Sequence, residues 1–545
     1  MPQTTVREPA GENEAPAGAP ERARTRGGGA RRRRVWWLSG LVAACAVLAQ
    51  WVIDTPPLYF DPYYVWLAAR DWPHIPLDQW PYSTVPHQVT RLGLVLPARA
   101  AQELLGDGQI AYFTVAALGG CLFFVGCYLA VRSLFGDLAG VAAALLLIVH
   151  PFFTLTNPYG VEITWSHGVM LPDMPGAGLF ALGMAALVAA SRRPGPRSGA
   201  PAERRGTGRA QTRLLLAAGT LFGASFLVRE FLAFLFLAIP LYLALLRIGW
   251  RRNVTVALPM IAILAVSLVH NALVWGDPLA GLMSAASHGG ESRDHVTRAL
   301  ALASFVRAMD DWNAFGVIFV VALVLTVVGW AVTRDRRLAL VLVWFLALAV
   351  PLTLFAGVID PHDISLRAWL LRYWFAVFPA LLAGGIGSLI LLAQRLPEGP
   401  MARFRLRTVV APALAVVLGT AYVATAVRTV PYLPRDTAWN ELRVHLKEHD
   451  RDLPVLWADR RLAQTLTFYT RSPWGEPLWH GQIRDFDHST WTLPEASYGQ
   501  PMLFTRWRGQ ESQILGGYRP TAKDGWRLMW RSSDGLLEIW GPARH

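Results

Sequence analysis

The chain has 545 residues, 53% hydrophobic and 16% charged, with a formal net charge of +13. Charge-free apolar runs recur as far as residue 430, which excludes one large soluble core and predicts a polytopic membrane protein. Lys447 and Lys523 are the only lysines, so the excess charge is arginine; it sits in short connecting loops, where it orients spans, and no nucleic-acid partner is expected.

Residues 1–34 are rich in Pro, Gly, Ala and Arg without an apolar period and read as a disordered basic cytoplasmic tail. Val42-Ala43-Ala44-Cys45 looks like a lipoprotein cleavage box, but apolar sequence runs on to Ile53, which makes a spanning length. Cys45, Cys121 and Cys127 all lie in apolar runs, which argues against a disulfide framework or a metal site. Candidate spans are 35–53, 109–131, 137–153, 170–190, 214–228, 231–246, 253–274, 314–333, 338–358, 369–393 and 408–428.

The run 214–246 is interrupted only by Arg229-Glu230. As one helix it would reach about 50 Å, against about 30 Å of hydrocarbon, so it is read as two short helices turning at that pair. About eleven spans result, with the amino end inside and the carboxyl end outside. This parity puts the arginine clusters at 192–213, 251–252, 334–337 and 395–407 inside and most acids and histidines outside. Arginine in place of lysine, with abundant Ala, Gly and Pro, points to a bacterial source and hence a plasma-membrane protein.

The first outer loop, 54–108, is long enough to hold interfacial helices. Leu92, Val95, Leu96, Ala100 and Leu104 form an apolar stripe, with Arg91 and Arg99 free to meet headgroups. Residues 430–545 hold no spanning run and read as a soluble extracytoplasmic α/β domain. A helix at 437–448, a strand around Val455-Leu456-Trp457, a helix starting near Asp459-Arg460-Arg461 and a hairpin at Ser532-Ser533-Asp534-Gly535 are expected. Nine of the 23 tryptophans fall here; core or interfacial positions suit them better than glycan stacking.

Side chains capable of chemistry gather on the outer side in four clusters. The first is Asp61 with Tyr63, Tyr64 and Asp71, an acid among aromatics at the membrane boundary; it suits a base acting on a lipid-linked substrate, or a plain interfacial loop. The second is Glu162, His167 and Asp173, the last at a helix start where capping alone would explain it. The third is Arg229-Glu230, costly in apolar sequence and therefore either a site or an internal ion pair. The fourth is Asp360, His362, Asp363, Arg367, Arg372 and Tyr373, whose arginines bind an anion or snorkel to lipid phosphate. His87 and Arg91 join Tyr64, Glu162, His167 and Tyr373 as candidates for a cavity wall.

Two acids and two membrane-level arginines suit transfer of a sugar from a polyprenyl phosphate. An acceptor hydroxyl needs a base, and a departing phosphate needs cations at the membrane boundary, where Arg229 and Arg372 are placed. Such a donor carries its own leaving group, so no Gly-rich nucleotide loop is required, and none is present. A single displacement predicts inversion at the anomeric carbon.

The order Asp61, Arg91-Leu92-Gly93, Leu171-Pro172-Asp173-Met174-Pro175, Phe226-Leu227-Val228-Arg229 and Arg372-Tyr373 before a Gly-rich apolar span resembles the GT-C membrane glycosyltransferases. The bacterial branch similar to protein O-mannosyltransferases and aminoarabinose transferases, glycosyltransferase family 39-like, shows this layout; the resemblance covers roughly residues 35–430. It implies an all-α membrane domain, an extracytoplasmic inverting reaction, a polyprenyl-phosphate-linked sugar donor, and a cell-envelope glycan, lipid or protein as acceptor. By the same resemblance Asp61 matches the first-loop catalytic acid, Asp173 the second acid, and Arg229 and Arg372 the donor-phosphate contacts. Those mannosyltransferases follow the first acid with Glu, whereas Pro62 stands here, so any contact made by that Glu has no counterpart. No ligand spacing decides for or against a divalent metal.

Two other classes fit parts of the pattern. A lipid or polysaccharide transporter would place charge at mid-bilayer, where these spans are nearly charge-free. A non-catalytic scaffold with a glycan-binding tail would tolerate Asp61→Asn.

Overall fold

A computed structural model describes residues 22–53, 57, 61–73, 87–154, 167–192, 201–287, 296–310, 315–362, 364, 366–395, 437–486, 497–505 and 521–543. Its helices in the membrane region are α1 (Arg22–Ile53), α2 (Asp61–Asp71), α3 (Leu92–Leu105), α4 (Gln109–Phe135), α5 (Asp137–Ile148), α6 (Pro151–Thr154), α7 (Asp173–Ser191) and α8 (Pro201–Val228). There follow α9 (Ala233–Phe236), α10 (Ile239–Leu245), α11 (Asn253–Trp275), α12 (Ala280–Ser287), α13 (Arg298–Leu302), α14 (Ser304–Asp310), α15 (Val317–Thr333), α16 (Arg336–Thr353) and α17 (Phe378–Ala393). Among the described residues, 7 helices are long and apolar enough to cross a membrane. The expected span at 408–428 lies outside the described residues, as do Glu162 and Asp363.

Three expectations change. The first helix begins at Arg22, inside the stretch expected to lack structure; arginine and alanine are good helix formers, and Arg34 is anchored to Asp137 at 3.3 Å. The segment after Arg229 is a 3-10 turn (Glu230–Leu232) followed by α9 and α10, and not one continuous helix. Pro240 enters α10 near its first position, where its missing N–H is tolerated and starts a new helix. On α3, Leu92 and Val95 of the expected stripe are buried and are joined by Leu94, Ala98 and Ala101, while Leu96, Ala100 and Leu104 point outward and Arg91 is buried.

The reversal at Arg229 itself is borne out by helix direction. Arg252 donates to Thr212 Oγ1 at 3.1 Å, and Gly219 and Gly223 face Val256 and Ile263. α8 and α11 therefore run parallel, so the chain between them must travel back along the bundle. Arg229 breaks the helix with extended angles (φ −149, ψ 107).

Close helix contact does the holding, since lipid tails give no hydrophobic drive for helix association. Where α4 meets α7, a Cβ on Gly126 would stand 2.6 Å from the Gly178 carbonyl, an approach only glycine permits. Arginines close the opposite end of the bundle from the Arg229 turn. Arg132 pairs with Asp137 at 2.6 Å, Arg337 donates to the Leu134 carbonyl at 3.2 Å, and Arg192 reaches the Ser133 carbonyl. Each satisfies a carbonyl or acid at a helix end.

The tail forms α18 (Thr437–Glu448), β1 (Val455–Asp459), α19 (Arg460–Tyr469), β2 (Gln482–Phe486), β3 (Met502–Thr505), β4 (Trp526–Arg531) and β5 (Leu537–Pro542). These strands make one sheet of order β2-β1-β3-β5-β4, parallel from β2 to β3 and antiparallel beyond. The hairpin turns where expected, with Gly535 at φ 69 and Asp534 Oδ1 accepting from the Leu536 N–H at 3.0 Å. Trp439, Trp457, Trp479 and Trp526 are buried core residues, and Trp474 is exposed.

Candidate active site

Asp61 is the first residue of α2, where a carboxylate meets the positive end of the helix dipole. Its Oδ1 accepts from Gln88 Nε2 at 2.6 Å, and its Oδ2 faces Arg372 Nη1 at 3.5 Å. Gln88 belongs to a buried turn at 87–90, closed by Thr90 Oγ1 donating to the His87 carbonyl at 2.8 Å. Burial pushes the Asp61 carboxyl up, but the charges of Arg372, His87 and Arg91 and the Gln88 hydrogen bond hold it well below the usual carboxylate range.

The next turn of chain after Gln88 reaches the Arg229 corner. Arg91 Nε donates to both carboxylate oxygens of Glu230, at 3.0 and 3.3 Å. Its Nη1 is buried without a hydrogen-bond partner among the described residues. Arg229 faces the other way, its Nε 3.1 Å from Asp173 Oδ1 at the start of α7. Its guanidinium lies over the rings of Phe231 and Tyr373, at 4.9 and 5.0 Å, and those two rings stack on each other at 4.9 Å. Arg372 and Tyr373 share a 3-10 turn (Leu371–Val377), so one turn of backbone sends the first side chain to Asp61 and the second to Arg229. Three acids and three arginines thus alternate: Asp173 with Arg229, Glu230 with Arg91, and Asp61 with Arg372.

No protein-family model and no curated protein matches the chain. Solved structures do. ArnT from Cupriavidus metallidurans bound to undecaprenyl phosphate aligns with TM-score 0.55 and 16% identity over 92% of this chain and 97% of that one. The apo state of the same ArnT gives TM-score 0.54. The chain has the GT-C fold. The archaeal oligosaccharyltransferase AglB from Archaeoglobus fulgidus, in complex with an inhibitory peptide and a dolichol-phosphate, is similar at TM-score 0.49 and 14% identity, over 93% of this chain and 74% of that one.

Within this GT-C fold the expected site residues divide. Asp61, His87, Arg91 and Arg372 come together, and Asp173, Arg229 and Tyr373 form the adjoining group. Arg229, expected beside a donor phosphate, is enclosed at 3% exposure. The internal Arg229–Glu230 pair does not form; each residue takes a partner from another helix or turn. Arg91, expected at the headgroups, is also enclosed, because Glu230 compensates its charge inside.

Two cavity candidates go elsewhere. Tyr64 is buried in the core of α2. His167 contacts the Ile148 carbonyl through Nε2 at 2.9 Å and packs on the Phe124 ring; burial pushes its pKa down to about 4. Asp360 caps its own turn by accepting from the His362 N–H at 2.8 Å. Sequence reasoning missed Gln88 altogether, and no spacing or charge signal marks it. Among the described residues no three His, Cys, Asp or Glu side chains converge as a metal-binding group.

Proposed function

We propose that this GT-C protein is an inverting glycosyltransferase, moving a sugar from a polyprenyl-phosphate donor to a cell-envelope acceptor hydroxyl on the outer face of a bacterial plasma membrane. The observation that carries it is the Asp61–Arg372 contact at 3.5 Å, a base and an anion holder side by side. The undecaprenyl phosphate in the ArnT structure supports a prenyl-phosphate donor.

In this reading Asp61 accepts the proton of the acceptor hydroxyl as that oxygen attacks the anomeric carbon. The bond from that carbon to the phosphate oxygen breaks, and the polyprenyl phosphate gains a second negative charge as it leaves. Arg372 takes that charge, and Arg229 adds its own from behind the Tyr373 ring. Gln88 holds Oδ1, which leaves Oδ2 for the proton once the phosphate has drawn Arg372 away. Asp173 keeps Arg229 in place. A hexose or pentose would serve equally in this chemistry.

The test uses the full chain in nanodiscs with a panel of polyprenyl-phosphate sugars, products being read by mass spectrometry. Asp61→Asn is expected to reduce transfer about 10²- to 10⁴-fold while remaining folded, with a melting point somewhat below the parent's. Undiminished transfer by a folded Asp61→Asn protein would falsify the assignment. Mass spectrometry of envelope glycans from a deletion strain would then name sugar and acceptor together.

A further inference from the structure

The core that α2 enters is shared with the tail. Trp66 of α2 lies 5.7 Å from Phe468 of α19 between ring centroids, and Tyr112 of α4 closes the triangle at 5.3 Å from Phe468. Just upstream of Asp61, the Pro57 carbonyl accepts from Thr465 Oγ1 of α19 at 3.3 Å. At the far end of α2, Arg70 binds Asp107 at 2.6 Å, and Arg471, just past α19, shares that carboxylate at 3.5 Å. Gln109, at the start of α4, donates to the Tyr469 hydroxyl at 2.9 Å and accepts from Arg443 of α18. The tail therefore grips the approach to α2, its middle and its end.

α2 has 11 residues. A helix of that length is marginal in water by itself, so its orientation comes from what it packs against. A small tilt of α2 would move Asp61 away from Arg372, which is carried on a different element.

We propose that α19 is the seat that fixes α2, and through it the Asp61 carboxylate opposite Arg372, so that Thr465, Phe468 and Arg471 are positioning residues for the transfer. The proposal rests on the glycosyltransferase reading above. It gives the tail a role distinct from holding glycan: a glycan-binding tail would act on acceptor KM, whereas a seat acts on kcat.

The experiment compares the full-length protein in nanodiscs with Phe468→Ala, Phe468→Leu and Arg471→Gln. Backbone amide exchange over 61–71 is followed beside steady-state kinetics. Phe468→Ala should speed exchange over 61–71 and lower kcat by up to about 10²-fold, with donor and acceptor KM little changed. Phe468→Leu should recover part of both effects. Unchanged exchange over 61–71 in a folded Phe468→Ala protein overturns the proposal, as does a loss residing wholly in acceptor KM. If Phe468→Ala does not fold, Thr465→Val and Arg471→Gln carry the same two readouts. Faster exchange in the variant, with no transfer by the parent protein on any donor, keeps the seat and removes only the glycosyltransferase reading.

Discussion

At Asp61, burial works against ionisation and loses to Arg372, His87, Arg91 and the Gln88 amide. The sign of the pH effect follows. A carboxyl depressed in the fold stabilises it above the unfolded value of about 3.9, and that contribution is lost as pH falls through the folded value. Gln88→Ala removes one of the lowering interactions but leaves Arg372 and Arg91 in place. The acid limb of the pH–kcat profile should therefore move to higher pH, with kcat reduced and donor KM little changed. An acid limb that stays put would show that the 2.6 Å contact does not tune the base. Arg372→Ala should act differently, raising donor KM as well as lowering kcat, because it removes the proposed phosphate contact; Arg372→Lys should recover charge without the forked geometry. Asp61 and Arg372 were legible in the sequence because ionisable groups at a membrane boundary are costly and conspicuous. A neutral glutamine in a loop carries no such mark.

Between elements, α3 and α8 meet at Gly93. A Cβ there would stand 2.5 Å from Val228 Cγ2 and 2.9 Å from the Leu227 carbonyl carbon, and backbone cannot yield as a side chain can. Gly93→Ala must push the two helices apart close to the Arg91–Glu230 pair, whose Arg91 side chain is 1% exposed. The expected cost is about 1–3 kcal/mol, seen as a lower melting temperature in detergent, together with reduced transfer. A melting temperature equal to the parent's would mean that α3 slides without penalty. The reversal at Arg229 could be read from length alone, since the run exceeded one bilayer crossing. The buried face of α3 could be read only in part. Leu94, Val95 and Ala98 face protein while Leu96 and Leu104 face outward, and when both faces of a helix are apolar the period no longer tells core from exterior. The tail was read more fully because a soluble sheet and its helices alternate polar and apolar residues, and turn chemistry marks their ends.

Across the whole molecule, helix direction and charge give one orientation. Arg34, Arg132, Arg192 and Arg337 converge around residues 133–137, at the end opposite the site. Arg395 joins that end, bonded to the Val332 carbonyl at 2.6 Å, whereas Thr437 opens a helix whose Arg443 touches Gln109 at the site end. The chain thus leaves the bundle on the arginine side and resumes on the other. Positive charge stays in the cytoplasm, so the site and the tail should face outward. Single cysteines test this in a background with Cys45, Cys121 and Cys127 replaced by alanine. Tyr498→Cys, at an exposed tail position, should react with a membrane-impermeant maleimide in intact cells. Arg251→Cys, exposed in the 3-10 turn just before α11, should react only after permeabilisation. The opposite pattern would put Asp61 and Arg372 in the cytosol, where the proposed acceptors are absent, and would remove the envelope transfer while leaving the fold as described.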